Sequence, residues 1–574
     1  MSPLVRESLR RLGPGEAVPV WIFFRDKGFQ TAGEREFRTS QLLGSLGERC
    51  LRRRAKARGM FGALVDEEDL PLHAPYLQKV RALARRVRVE SRWLNAVSVE
   101  ATAAQAEALA GLDFVTAVKL VGAWKRSEPI IGSGDAGTGT PLQPDYGGSF
   151  TQLNQISIPP LHRLGYSGRG VLVGLLDTGF RKSHEVFRST RLIAEHDFVF
   201  GDGDVSQDKG NSDDYSDAHG TATWSLSGGY RPGQLVGAAY GADFLLAKTE
   251  VETYEKPIEE DYWVAGIEWA EGLGVDVVSS SLGYTDWYKF QDLDGKTAVT
   301  TRAASRAVSL GVVVVNAAGN ERGNAWNHII APADAFEVIS VGAVNSGAGL
   351  ASFSSPGPTA DGRTKPEVCA LGVNDWIAQN LTDGRDTYAS GSGTSFSTPL
   401  VAGAAALILE IHPDWTPQQL RNALLETASR SDRPDNDFGW GIANVARAAR
   451  LPLALPRLAG LRIDDSGAGR SAGNGNGLAE PGETVAIFIT LRNSGEVSSA
   501  DLVATLTSAQ PGFRVLSGRV SLTAIPPGES RSASEAFTVR IPDVTLVGRA
   551  VFWLTVEGAG AVRLDESLVI PVSR

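Results

Sequence analysis

Apolar positions follow three different rhythms along this chain, and the changes of rhythm divide it. The stretch from Ala17 to Phe24, with its run Val-Pro-Val-Trp-Ile-Phe-Phe, reads as a strand, residues 34–84 carry mixed helical periodicity, and 92–101 reads as a second strand. An alanine-rich helix over 103–112 and a third strand over 114–121 follow. Elements of this size predict a compact α+β module ending near Trp124, assigned to residues 1–126. Residues 127–150 have no periodicity and are rich in Gly, Ser, Thr, Pro and Asp, so they read as a linker open to proteolysis.

From 151 to 452 the pattern becomes continuous apolar strands alternating with helices. The runs 171–176, 236–246, 275–278, 312–315 and 338–344 have no polar face, as expected of a parallel sheet covered by helices on both sides. The predicted fold is therefore α/β, a three-layer α/β/α domain, and ligands in such sheets bind beyond the carboxyl ends of the strands. A last apolar run, Leu400 to Ile411, has almost no polar residue and reads as an enclosed helix, with Pro399 expected in its first turn. Beyond 452 only short alternating runs remain, at 485–492, 500–507, 513–520, 537–541, 550–556 and 562–572; residues 453–574 are expected to form an all-β sandwich.

A chain of 574 residues exceeds one hydrophobic core, which agrees with this division. Cys50 and Cys369 fall in different predicted domains, so no disulfide framework stabilises the protein, and Cys369 reads as a small buried strand residue. No run of about 18 uninterrupted apolar residues predicts a membrane span. The first residues lack the apolar core of a secretory signal, so secretion is an expectation drawn only from the layout described below. Charge is uneven: residues 1–127 carry 22 Lys/Arg against 14 Asp/Glu, the remainder 34 against 52. The first module is thus suited to dock on the rest by charge complementarity. Its cluster Arg52, Arg53, Arg54, Lys56 and Arg58 reads as a solvated helix face, and no base-reading module supports a nucleic-acid partner.

Three short motifs end strands or open helices in the middle segment. Asp177 closes the first strand, His219 opens a helix in Asp217-Ala-His-Gly-Thr, and Ser395 sits in Gly393-Thr-Ser-Phe-Ser-Thr-Pro399 before the enclosed helix. Taken singly, Asp177 and Ser395 also read as helix caps and His219 as a core histidine. Together they supply what nucleophilic catalysis requires. A serine hydroxyl needs an imidazole to take its proton, and the imidazole needs a carboxylate to hold its tautomer and stabilise its cation. The order Asp, His, Ser differs from those of chymotrypsin and the α/β-hydrolases, and Ser397 breaks the Gly-x-Ser-x-Gly elbow the latter require. A buried strand ending in Asn316-Ala-Ala-Gly-Asn320 offers an amide N–H for an oxyanion; Asn320 is preferred because Asn316 lies within the strand.

These residues resemble the subtilisin-like serine proteases. The motifs are Asp177-Thr-Gly, His219-Gly-Thr, Ser281-Leu-Gly, Ala317-Ala-Gly-Asn320 and Gly393-Thr-Ser-Phe-Ser-Thr-Pro399, spread over roughly 151–450. The resemblance implies a serine endopeptidase with catalytic Asp177, His219 and Ser395 and an oxyanion hole of Asn320 and the Ser395 N–H. It also implies that Ser281, Leu282 and Gly283 pair with extended peptide substrates, and that Ala317, Ala318 and Gly319 wall a first specificity pocket with room for a fairly large side chain. Residues 1–126 resemble the family's propeptide, an intramolecular inhibitor, so the chain reads as a self-processing zymogen cut between Trp124 and Gly148. A monomer acting on proteins or peptides is expected, with no nucleic acid and no membrane span. The rival reading is a catalytically silent relative whose sandwich binds a surface or partner.

Departures from the family pattern bear on the site. Ala222-Thr-Trp-Ser follows His219-Gly-Thr, so packing beneath the histidine differs. The acidic stretch 249–262 reads as a solvated loop near the cleft or as a preference for basic substrates. No cofactor is needed for the chemistry. Asp202, Asp204 and Asp208, in an acidic loop with Asp213 and Asp214, are candidate ligands for structural calcium, and a second candidate loop lies at Asp464-Asp465 with 474–480.

Overall fold

The order of strands explains where the site must lie. The computed structural model describes all residues except 2, 14, 60–61, 123–129, 133–143, 207–216, 251–258, 381–384, 452–453, 468–470, 496, 509–511, 544–547, 559–563 and 574. In one unit, Met1–Ala449, a seven-stranded parallel sheet runs Val368–Leu371, Ile339–Val344, Val313–Ala317, Val277–Ser280, Leu172–Asp177, Asp243–Lys248, Arg191–Asp197. The chain winds from Leu172–Asp177 to one edge first and then to the other. The carboxyl end of that strand is therefore a switch point, where a crevice forms.

Four of the inner strands, Leu172–Asp177, Val277–Ser280, Val313–Ala317 and Ile339–Val344, are buried at every position, which is why they read as unbroken apolar runs. Helices Glu259–Gly272 and Val299–Ser309 pack together over one face, and Ala218–Gly228 with Thr394–Ile411 over the other. The edge strand Arg191–Asp197 has only its last residue buried, and this mixed exposure hid it from the apolar pattern. The run 236–246 divides into a two-residue strand, Leu235–Val236, and the sheet strand Asp243–Lys248. Thr394–Ile411 is, among the described residues, the one helix long and apolar enough to cross a membrane, and it is 89% buried within the protein.

The N-terminal module is a four-stranded antiparallel sheet ordered Arg86–Ser91, Ala96–Ala101, Val18–Phe24, Val115–Leu120. Successive side chains of Val18–Phe24 face opposite ways. Val20, Ile22 and Phe24 pack on the module's own Leu77, Val80, Ala106 and Leu109. Trp21 and Phe23 join the peptidase-side cluster of Trp263, Ile267 and Val299. Both faces are covered, so the strand is apolar throughout. The strand Arg86–Ser91, rich in charge, was not legible as such.

Charge finishes this contact. The helix Glu48–Arg58 buries Arg53 and Arg54, correcting their reading as a solvated face. Arg54 donates to Glu271 Oε1 at 2.9 Å and Oε2 at 2.8 Å and to Asp69 at 3.0 Å, while Arg53 also pairs with Glu271. Arg88 grips Asp261 in a two-pronged contact of 2.8 and 3.1 Å. Glu260 accepts from Trp21 Nε1 at 3.2 Å and from the Tyr288 hydroxyl. Within the acidic stretch Glu260 and Asp261 thus face the N-terminal module, and Thr249, Glu250 and Tyr262 are buried as well, so these residues do not form a solvated loop; 251–258 lies outside the described residues.

The second unit, Arg450–Arg574, consists of two antiparallel sheets. One runs Pro456–Asp464, Thr484–Asn493, Phe537–Arg540, Arg514–Ser517; the other Arg519–Leu522, Leu502–Ser508, Arg549–Glu557, Leu564–Pro571. Their alternating apolar residues, such as Ile487, Ile489, Leu502, Leu506, Phe552 and Ile570, share one core. Among the candidate calcium loop here, both Asp465 carboxylate oxygens are taken by the backbone N–H groups of Gly475, Asn476 and Gly477.

Candidate active site

Asp177 is the last residue of its strand and is 1% exposed. A buried carboxylate is tolerable only when its oxygens are satisfied. Oδ1 accepts from the Thr178 N–H at 2.8 Å and contacts His219 Nδ1 at 2.6 Å, and Oδ2 accepts from Thr223 Oγ1 at 2.9 Å. An ionised carboxylate only accepts, so this contact puts the imidazole proton on Nδ1 and leaves Nε2 basic. The Thr223 contact is a positioning bond that the sequence pattern did not reveal; the departure at Ala222-Thr-Trp-Ser was its only signal.

His219 is the second residue of the helix Ala218–Gly228, of which it and the nine following residues are buried. A Cβ at Gly220 would stand 2.0 Å from the Gly179 carbonyl oxygen, so glycine alone lets the helix start press onto the turn after Asp177. Beneath it, Trp224 stacks on Phe187 with ring centroids 3.6 Å apart. The His219 ring lies 5.9 Å from that of Phe396, which brings the histidine to the start of the helix Thr394–Ile411.

Ser395 is the second residue of that helix and is 3% exposed. The helix begins five residues before Pro399, so the proline lies inside it, contrary to the expectation of a first-turn proline. Pro399 has no N–H to offer the carbonyl four residues earlier, which belongs to Ser395. Ser281 Oγ supplies the missing donor at 2.8 Å. Ser395 Oγ in turn donates to the Ser281 carbonyl at 3.3 Å. The first N–H groups of a helix lack intrahelical acceptors, so the Ser395 amide stands at a terminus suited to negative charge.

Asn320 Oδ1 accepts from both the Thr394 N–H and Thr394 Oγ1, each at 2.9 Å. That pair of contacts fixes the amide flip and turns the Nδ2 hydrogens away from Thr394. Asn316 Nδ2 instead donates to the carbonyls of Leu282 and Ala317, each at 3.0 Å, tying two strand ends together. Ser281, Leu282 and Gly283 follow the strand Val277–Ser280, while Ala317 ends its strand and Ala318 and Gly319 come just after it. These two strand ends flank the Ser395 turn.

Asp204 Oδ1 accepts from Ser206 and from Lys182 Nζ at 3.0 Å, and these contacts hold its carboxyl down at about 2. Asp202 Oδ1 caps the Asp204 N–H at 2.9 Å. With an ammonium already on Asp204, these residues do not fit calcium. Asp208 lies outside the described residues, and among those described no group of three or more His, Cys, Asp or Glu side chains is placed to hold a metal. Cys369 is fully buried, and burial pushes its thiol up to about 12, so it is inert as a nucleophile.

Residues 168–441 match the family model described as "Subtilase family", and 19–131 match "Peptidase S8 propeptide domain, Bacteroidota". Subtilisin E of Bacillus subtilis (strain 168) is 36% identical over 302 residues, covering 52% of this chain and 70% of that protein. Subtilisin of Bacillus pumilus is 37% identical over 300 residues, 52% of this chain and 98% of its own. Subtilisin Savinase of Lederbergia lenta is 31% identical over 298 residues, 52% and 97%. With the parallel sheet, the paired aspartate and histidine at its carboxyl edge and this shared sequence in hand, the chain belongs to the subtilase family: it is a serine endopeptidase preceded by a family propeptide and followed by a β-rich region.

Proposed function

We propose that Asp177, His219 and Ser395 are the catalytic triad of this endopeptidase. The observation that carries the reading is the 2.6 Å contact between buried Asp177 Oδ1 and His219 Nδ1, beside the helix start that holds Ser395. His219 Nε2 takes the Ser395 proton as Oγ attacks the scissile carbonyl, and Asp177 stabilises the imidazolium. The Ser395 N–H and Asn320 Nδ2 hold the oxyanion, a reading supported by the Thr394 contacts that fix Asn320 through its Oδ1. His219 returns the proton to the leaving amine, and water then hydrolyses the acyl-enzyme by the reverse sequence. Substrate backbone pairs with Ser281, Leu282 and Gly283 as an added strand, and its side chain before the cut enters between that edge and Ala317, Ala318 and Gly319.

The zymogen reading assigns 1–126 to an inhibitory propeptide, 127–150 to the linker, 151–452 to the peptidase and 453–574 to a β-sandwich for stability or targeting. Support for cutting in cis comes from the linker strand Ile130–Gly132, which pairs antiparallel with Ser390–Ser392 just before Ser395. The protein acts as a secreted monomer on protein substrates, and its chemistry uses no metal. Expression of Ser395→Ala tests the triad and the processing together. The variant should stay at full length while the parent chain is cut between 124 and 148; a variant cut at the same place and rate overturns the reading.

A further inference from the structure

The slot between the two substrate-flanking strand ends has a floor, and the floor carries a large side chain. Ile330 N–H donates to the Ala318 carbonyl at 3.1 Å, and Tyr284 N–H donates to the Ala331 carbonyl at 2.8 Å. The segment from Ile330 to Ala331 is thus stitched to both walls and crosses between them. Ile330 itself is 1% exposed and belongs to the same core cluster as Leu282 and Tyr284.

Its side chain reaches both walls. A Cβ at Gly283 would lie 2.2 Å from Ile330 Cδ1 and 2.4 Å from Cγ1, so the isoleucine rests directly on the Gly283 backbone. A Cβ at Gly319 would lie 3.0 Å from Ile330 Cγ2 and 3.2 Å from Cδ1. Gly319 has φ of 109°, so the second wall is also bare backbone by conformational need. The space at Gly283 is filled by Ile330, and the space at Gly319 is shared by Ile330 and Ser355 Oγ, which lies 2.8 Å from such a Cβ.

Ile330 has little room to withdraw. A β-branched side chain has few χ1 choices. The neighbouring backbone is pinned by Trp326 Nε1 donating to the Ile329 carbonyl at 2.8 Å, by Ile329 N–H to the Pro356 carbonyl at 3.0 Å and by Ala333 N–H to the Ile330 carbonyl at 2.8 Å. Ile329, Ala331 and Ala333 are buried with Ala318 behind it. An aromatic or long side chain entering the slot would have to overpack this floor.

We propose that Ile330 is the specificity-determining residue of this endopeptidase and restricts the residue before the scissile bond to small side chains such as alanine or serine. The proposal rests on the reading that Ser281–Gly283 and Ala317–Gly319 flank the substrate, and it reverses the expectation of a pocket with room for a large side chain. A single methylene more or less in a closed apolar pocket is worth about 10- to 200-fold in kcat/KM.

The test compares peptide amides that differ only in that residue, Ala, Leu or Phe, on the active protein and on Ile330→Gly and Ile330→Ala, with active sites counted by a small serine-directed phosphonate. The parent should favour Ala over Phe by about 100-fold, and both variants should shrink that ratio by about tenfold or more through faster Phe cleavage. A parent that labels fully but prefers Phe overturns the floor assignment while leaving the protease reading intact. A parent that neither labels nor cleaves any peptide overturns both. The parent's own Ala-to-Phe ratio needs no variant, so misfolding of the substitutions does not shield the proposal.

Discussion

Ser281 and Ser395 exchange hydrogen bonds in both directions: Ser281 Oγ donates to the Ser395 carbonyl at 2.8 Å, and Ser395 Oγ donates to the Ser281 carbonyl at 3.3 Å. The exchange follows from Pro399, which denies Ser395 its helical donor. Ser281→Ala should therefore strand a buried carbonyl and cost about 1–3 kcal/mol of stability. Thermal unfolding measures this, and kcat should fall alongside as the helix start shifts. An unchanged melting temperature would remove the Pro399 argument.

Thr223 acts through Asp177, whose second oxygen it holds at 2.9 Å. A hydrogen bond to a charged group is worth about 1.5–3 kcal/mol. Thr223→Val keeps the shape and removes the donor, so kcat should fall about tenfold. KM should stay constant, because Thr223 touches no substrate, and Thr223→Ser should restore much of the rate.

Asn320→Ala should lower kcat by about 100- to 1,000-fold with little change in KM, a magnitude known from the oxyanion asparagine of a subtilisin and carried over by analogy. Asn316→Ala should act differently, through stability, because its amide links Leu282 and Ala317 within the sheet.

Release of the propeptide should depend on pH. Burial pushes Glu260 up to about 7, against hydrogen bonds from Tyr288 and Trp21, and burial also raises Glu268. Glu271 goes the other way: burial opposes ionisation, but the Arg54 hydrogen bond and the charge of Arg53 outweigh it. A carboxyl with a raised pKa in the complex stabilises the complex fully below its free value of 4.5 and loses that contribution as pH rises through about 7. The depressed Glu271 contributes above its free value and loses it only in acid. Between pH 5 and pH 8 Glu260 dominates, so the cut propeptide should dissociate more readily at pH 8 by about one to two orders of magnitude. Size-exclusion chromatography across pH measures this, and Glu260→Gln should flatten the profile.

The maturation site has a specific expectation. Ile130 pairs with Ser392, three residues before Ser395. Ser127, in the linker just before Ile130, has a side chain small enough for a pocket floored by Ile330. N-terminal sequencing of the mature protein should begin at Glu128; a start beyond Gly132 would contradict this expectation.

The motifs proposed to carry catalysis stand out in the sequence because they sit where secondary structure changes. Asp177 ends an unbroken apolar strand, and Ser395 opens an unbroken apolar helix, so local pattern and chemistry coincide. Residues whose role depends on distant partners were not legible. Arg54 reads as one of several exposed basic residues because Glu271, which neutralises it, is 217 positions away. The strand Arg191–Asp197 escaped because a sheet edge tolerates polar side chains. Ile330 carries no signal in the sequence, since nothing local announces that it rests on the distant Gly283 and Gly319.

The central claim is that Ser395 is the nucleophile activated by His219. Incubation with a serine-directed fluorophosphonate, followed by mass spectrometry of the labelled peptide, tests it directly. One adduct per active chain, on Ser395, is predicted, with labelling abolished in Ser395→Ala and slowed by orders of magnitude in His219→Ala. A correctly folded, mature protein that carries no adduct on Ser395 would contradict the account.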